Sequence, residues 1–234
     1  MLEQIKVVLV EPSHPGNIGG AARAMKTMGL GRLALVNPKR YPDPQADWRA
    51  AGALDVLDAA EVVTDVAQAI EHCHWVVGTS TRSRKIPWPV LNAREMAAEI
   101  RALPADTQVA ILFGREDNGL NNDELQRCNR HLQIPAAAAY SSLNLAMAVQ
   151  VVCYEIHQAA LEDREVSSWD RKLATSGEVE AMLDAWQQVL IDTDFLQPDN
   201  PGKTMTRLRR LFNRVQMDET EVQILRGVIK HLTP

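Results

Sequence analysis

This sequence predicts an α/β protein built on a parallel sheet, with helices on both faces and a small helical extension at the C-terminus. Two observations lead there. Short apolar runs alternate with helical patterns over the first two-thirds of the chain, the pattern of βαβ units. After Leu161 the pattern stops: the segment EDREVSSWDRK is polar, and only helical periodicities follow it. At 234 residues the chain can bury one substantial core and still leave a small second unit.

Strands are expected at residues 5–10, 32–36, 61–63, 74–79, 109–113 and 131–134, with helices between most of them. Asn17 is placed to cap a helix through 21–28, and Gly29 to stop it. Asn121 or Asn122 opens a short helix through 123–128. Ser141 or Ser142 caps a longer one reaching about Leu161, with Leu145, Val149, Val152 and Ile156 on its apolar face. Residues 1–161 thus form the sheet unit, 162–177 a linker, and 178–234 a helical unit. That unit has stretches at 179–191, 204–215 and 219–232, broken by QPDNPG at 197–202.

No apolar run approaches the roughly 20 residues needed to cross a bilayer. The start MLEQIKVVLVEP reads as a first strand rather than a signal peptide. Cys73, Cys128 and Cys153 lack CxxC spacing and suit reduced thiols in a cytoplasmic protein. His72 and His74 precede an apolar run without nearby partners, so no metal site is expected. The net charge of −5 disfavours a nonspecific polyanion binder, which places weight on local clusters. TRSRK at 81–85 carries three cations. KTMTRLRRLFNR at 203–214 carries five and no acid, and Arg207, Arg210 and Arg214 fall on one helical face at i, i+3, i+7. Leu208, Leu211 and Phe212 lie beside that face and would anchor it. A helix so arranged contacts nucleic-acid phosphates, which position a polynucleotide without reading its sequence.

Three loops carry the candidate chemistry. EPSHPGNIGG at 11–20 leaves a strand and enters a helix, and its glycines permit close backbone approach. FGREDNGL at 113–120 brackets a polar tetrapeptide with Gly114 and Gly119 at the carboxyl end of a strand, where open α/β sheets bind ligands. A side chain at Gly114 would enter that ligand space. IPAAAAYSSLN at 134–144 leads through small residues to a serine–asparagine helix cap, leaving backbone groups to hold a planar heterocycle. Neither GxGxxG nor a P-loop is present, which argues against a nicotinamide-dependent dehydrogenase or a nucleoside triphosphatase. No local signature suggests a Ser–His–Asp hydrolase.

In order, SHPGNIGGAARAMKTMGL, VVGTSTRSRKIPWP, LFGREDNGLNNDELQRC and IPAAAAYSSLNLAMAVQVVCYE resemble the SPOUT superfamily of RNA methyltransferases, in its TrmH-like branch. Only the AAAAY spacer departs from the expected polar one. The resemblance implies a trefoil knot in the C-terminal part of the sheet, where chain-connection rules alone would return an unknotted doubly wound sheet. It implies S-adenosylmethionine (SAM) bound against Thr79, Ser80, Thr81, Gly114, Ile134, Ser141, Ser142, Leu143 and Asn144. It places catalytic roles on Asn17, Arg23 and Glu116, with Arg23 supplied by the opposite protomer of a homodimer, and RNA contacts on Arg82 and Arg84. The implied reaction is 2′-O-methylation of cytidine or uridine at position 32 of the tRNA anticodon loop. Ribosomal RNA methylation, or SAM or RNA binding without catalysis, are the alternatives. An arginine stays protonated, so Arg23 would orient phosphate and stabilise charge on the 2′-oxygen rather than act as a base.

Overall fold

The computed structural model describes residues 1–80, 88–137, 142–162, 171–197 and 202–232. Among them are seven strands: β1 (Ile5–Val10), β2 (Arg32–Val36), β3 (Glu61–Val63), β4 (Trp75–Thr79), β5 (Val90–Leu91), β6 (Val109–Phe113) and β7 (Arg130–Leu132). They form one sheet in the order β3-β2-β1-β6-β4-β7-β5, parallel at every pairing. The register sets Ile5 opposite Val109 and Trp75 opposite the same Val109. β6 and β7 therefore slot between strands that precede them in the chain. How the chain threads through these gaps decides the knot, and the connections leaving β4 and β7 run through 81–87 and 138–141, outside the described residues.

Alternation of side chains along each strand builds two cores. Ile5, Val7, Leu9, Leu33, Leu35, Trp75, Ile111 and Phe113 face one cluster, while Val8, Val10, Ala34, Val76, Ala110 and Leu112 face the other. A parallel sheet covered on both faces needs such continuous apolar strands.

The helices in this part are α1 (Pro15–Thr27), α2 (Pro44–Ala50), α3 (Leu54–Asp58), α4 (Val66–Ile70), α5 (Ala93–Ala102), α6 (Asn122–Gln126) and α7 (Leu145–Leu161). Pro15 starts α1 and His14 is its N-cap, so Asn17 lies inside the helix rather than capping it. Gly29, at φ +78°, ends the helix as expected, with Leu30 N donating to Met25 O and Gly29 N to Lys26 O. Asn121 caps α6 in a reciprocal box with Glu124. α7 begins at Leu145 and is capped by Asn144, three residues beyond the first serine expected to do so.

The remaining helices, α8 (Ser176–Asp192), α9 (Thr204–Val215) and α10 (Glu219–Leu232), share a third apolar cluster around Met182, Leu183, Val222 and Ile229. Leu173 and Ala174, within the expected linker, are buried. The unit grips the sheet at two points. Ser176 N donates to Cys73 O just before β4. Asn129 accepts from Val76 N in β4 and donates to Asn213 O in α9, while Asn213 Nδ2 donates to Gln126 O. No helix among the described residues is long and apolar enough to cross a membrane.

Candidate functional site

The carboxyl ends of β4, β6 and β7 open into a cavity of about 480 Å³, within the range of small-molecule sites. Thr79, Ser80, Gly114, Ile134, Ser142 and Leu143 line it, six of the nine residues expected to hold the cofactor. Asn144 stands beside them, bonded to Asn17. Thr81 and Ser141 lie outside the described residues, as do Arg82 and Arg84. The cavity also takes in Asp117, Asn118 and Leu120 of the expected 113–120 loop, and Leu132, Leu145 and Ala148, to which sequence reasoning gave no site role. These last three join the loop only through strand order, so no local signal marks them as site residues.

The loop 114–120 is braced from within. Gly119, at φ +69°, donates from its N–H to Arg115 O, and the pair forms an isolated antiparallel bridge. The Arg115 guanidinium donates to Glu124, to Glu11 and to Gly119 O. Its hydrogen bonds with Glu11 and Glu124 raise its already high pKa, and the bond from Arg115 lowers that of Glu11. A Cβ on Gly114 would meet Gly119 C at 2.1 Å and Leu120 N at 2.2 Å. The space behind Gly114 is thus filled by its own loop, not by the ligand volume expected there.

Glu116 ties this loop to the first one. Its carboxylate accepts from Ser13 N and Oγ (both 3.0 Å), His14 N (3.2 Å) and Asn17 Nδ2 (2.9 Å). Burial alone would raise its pKa, but the bonds from Asn17, Ser13 and His14 outweigh that and hold it at about 2. A carboxylate so fixed is a permanent anion and a poor proton acceptor.

Asn17 Oδ1 in turn accepts from Asn144 Nδ2 at 2.9 Å, while Asn144 Oδ1 caps α7 through Ala146 N and Met147 N. Glu116, Asn17 and Asn144 form one hydrogen-bonded row across three loops. Asn17 is drawn to this row and not to the helix end. The glycines after it serve packing: a Cβ on Gly19 would strike Ala46 O at 2.0 Å, and one on Gly20 would meet Ala146 Cβ at 2.9 Å. α1 is thereby pressed between α2 and α7.

Arg23 is exposed on α1, with no side-chain partner among the described residues. In the C-terminal unit Arg207 and Arg214 are exposed and Arg210 is half-buried. Leu208 and Phe212 pack on the third cluster, but Leu211 is exposed; Met205 and Asn213 anchor the helix in its place. Arg209 is held by Glu180 of α8 at 3.0 Å. For Arg209, the acid missing from α9 is supplied by its neighbour α8.

Residues 4–154 match the model of the SpoU rRNA Methylase family, and residues 177–233 that of the tRNA methyltransferase TrmJ C-terminal domain. The tRNA (cytidine/uridine/adenosine-2′-O-)-methyltransferase TrmJ of Pseudomonas aeruginosa is 47% identical over 240 residues, covering 98% of this chain and 93% of that one. The tRNA (cytidine/uridine-2′-O-)-methyltransferase TrmJ of Salmonella typhimurium is also 47% identical, covering 98% and 96%. The crystal structure of TrmJ from Z. mobilis superposes with a TM-score of 0.87 at 33% identity, covering 98% and 99%.

Proposed function

The chain belongs to the SpoU rRNA methylase family, and we propose that it methylates the ribose 2′-hydroxyl of cytidine or uridine at position 32 of the tRNA anticodon loop, using SAM. The observation that carries this reading is coverage. The sheet unit and the C-terminal helices each match, and relatives named as tRNA 2′-O-methyltransferases align along 98% of the chain. The C-terminal match favours tRNA over ribosomal RNA as substrate. Residues 1–161 would carry the reaction and 178–234 the extended tRNA contact, joined through 162–177, in the cytoplasm.

The cavity suits the cofactor. Leu132, Ile134, Leu143 and Leu145 offer apolar walls, and the loop backbones offer polar groups for a heterocycle. Bound SAM supplies a methyl group already activated by its sulfonium. The protein's task is alignment of the incoming 2′-oxygen, whose proton leaves to water or to a substrate phosphate. Glu116 acts as a positioning residue, holding Ser13–Asn17 rigid. Asn17 presents its amide to the ribose, and Arg23, always protonated, neutralises the phosphate and the charge growing on oxygen. Arg82 and Arg84, with Arg207, Arg210 and Arg214, would contact RNA.

Arg23 reaches this site from a second protomer. Supporting that arrangement, Met147, Val151, Tyr154 and Leu161 form an exposed apolar stripe on α7, the helix packed beside α1. Mass spectrometry of nucleosides from unmodified tRNA incubated with protein and SAM should show 2′-O-methylcytidine or 2′-O-methyluridine at position 32, and sedimentation should give a dimer. Methylation confined to ribosomal RNA would overturn the substrate assignment, and a fully active monomer the trans supply of Arg23.

A further inference from the structure

Trp48 is 80% exposed on α2. Tryptophan is mostly buried in folded proteins, and here most of the ring faces solvent. Its neighbours along the helix, Gln45, Asp47 and Arg49, are exposed and polar. That setting differs from the stripe on α7, where four apolar side chains line up.

α2 is also fixed directly against the candidate site. Gly19 brings α1 onto the backbone of Ala46 and Ala50. One turn earlier, a Cβ on Gly16 would lie 3.5 Å from Arg49 Cγ and 3.6 Å from Gln45 Nε2. Gly16 adjoins Asn17, the residue joined to Glu116 and Asn144. Arg49 therefore lies over the start of α1 and Trp48 next to it. Lys39 approaches the same loop: its N–H donates to Pro12 O, and after Arg115 its charge also lowers the pKa of Glu11. Arg49 and Lys39 have no ion-pair partner among the described residues, whereas Arg40 is paired with Asp43. Asp47 is turned towards Tyr41, whose pKa its charge helps to raise after burial has done most of the work.

We propose that Trp48 is a stacking platform for an unpaired base of the RNA substrate, with Arg49 and Lys39 holding the adjoining phosphates. Single-stranded loops are recognised by bases splayed onto aromatic faces, and every base offers such a face. An exposed ring beside Arg49, on the helix packed against the one that carries Asn17, meets that requirement. The anticodon loop supplies such bases next to the ribose to be methylated, so the inference rests on the tRNA reading. α2 thereby determines how the loop enters the site, and α9 contacts the tRNA farther along the chain.

Trp48→Ala tests this without touching the core or the hydrogen-bonded row. Filter-binding titrations of tRNA should show affinity weakened about tenfold, the loss of one base stack. Trp48→Phe should recover most of it. SAM affinity and the sedimentation coefficient should stay unchanged. The salt dependence of log affinity should keep its slope in Trp48→Ala but become shallower by about 0.7–0.9 in Arg49→Ala, because stacking releases no counterions and a phosphate contact does. Unchanged tRNA affinity in Trp48→Ala would overturn the platform, and so would a dimer that falls apart, which would make Trp48 a subunit contact. If the unaltered protein itself binds no tRNA, it is the functional reading that fails.

Discussion

The cofactor cavity and helix α9 handle charge in opposite ways. Around the cavity Glu116 and Arg115 are consumed by the protein. Glu116 accepts from Ser13, His14 and Asn17, and Arg115 is divided among Glu11, Glu124 and Gly119. On α9, Arg207 and Arg214 stand in solvent, while Arg209 is taken up by α8. One region uses charge to fix backbone, the other keeps it available. The cavity should therefore be sensitive to shape and indifferent to salt, and α9 the reverse.

The largest departure should come from Gly114→Val. Its first side-chain carbon would overlap the Gly119–Leu120 backbone, so the loop must open. SAM binding measured by calorimetry should vanish, and the thermal midpoint should drop by roughly 5 °C, as for an overpacked site. Unaltered affinity would show that this loop does not form the cofactor site.

Glu116→Gln should have the next largest effect. Replacing the anion weakens charge-assisted bonds to the first loop, so kcat should fall about 10- to 100-fold, with SAM affinity nearly constant. The pH dependence gives a second readout. The folded-state pKa of about 2 lies below the ordinary 4.5. Stability from Glu116 is therefore full above about pH 4.5 and lost as pH falls towards 2. Acid titrations of the glutamine variant should lack that portion of the loss. A variant with normal kcat would remove Glu116 from the positioning role.

The smallest effect on chemistry, and the sharpest contrast, belongs to α9. Alanine at Arg207, Arg210 and Arg214 should leave SAM binding and kcat at saturating tRNA unchanged. The salt slope of tRNA affinity should become shallower by roughly two. If SAM binding moved as well, the two regions would not be separable in the way described.

What the sequence revealed follows the range of the forces involved. β1, β2 and β6 were legible residue for residue, because each is a largely buried apolar run ended by a polar or turn residue, and the short, largely exposed β3 was legible from its Val62–Val63 pair before Thr64. Val90–Leu91 is too short a strand for any periodicity. Asn17 reads locally as a helix cap, but Pro15 starts the helix two residues earlier, and the side chain of Asn17 turns instead to Glu116 and Asn144, which no local pattern announces. Leu211 has the right residue type for an anchor, yet buried Asn213 does that work through bonds to Gln126 and Asn129, which no pattern announces. Loops matched the family motifs, but the internal brace of 114–120 depends on Glu11 and Glu124 meeting in space.

The row Glu116–Asn17–Asn144 also has a consequence for synthesis. Strand β1 is made first, yet its inner neighbour β6 ends at Phe113, and the row closes only with Asn144. At about 5–20 residues per second, the nascent chain spends on the order of ten seconds with β1 made and the row incomplete. Until Phe113 has been made, β1 has no partner on that side. A ribosome-bound chain ending before α7 therefore lacks a cofactor site, however much of the sheet has already paired.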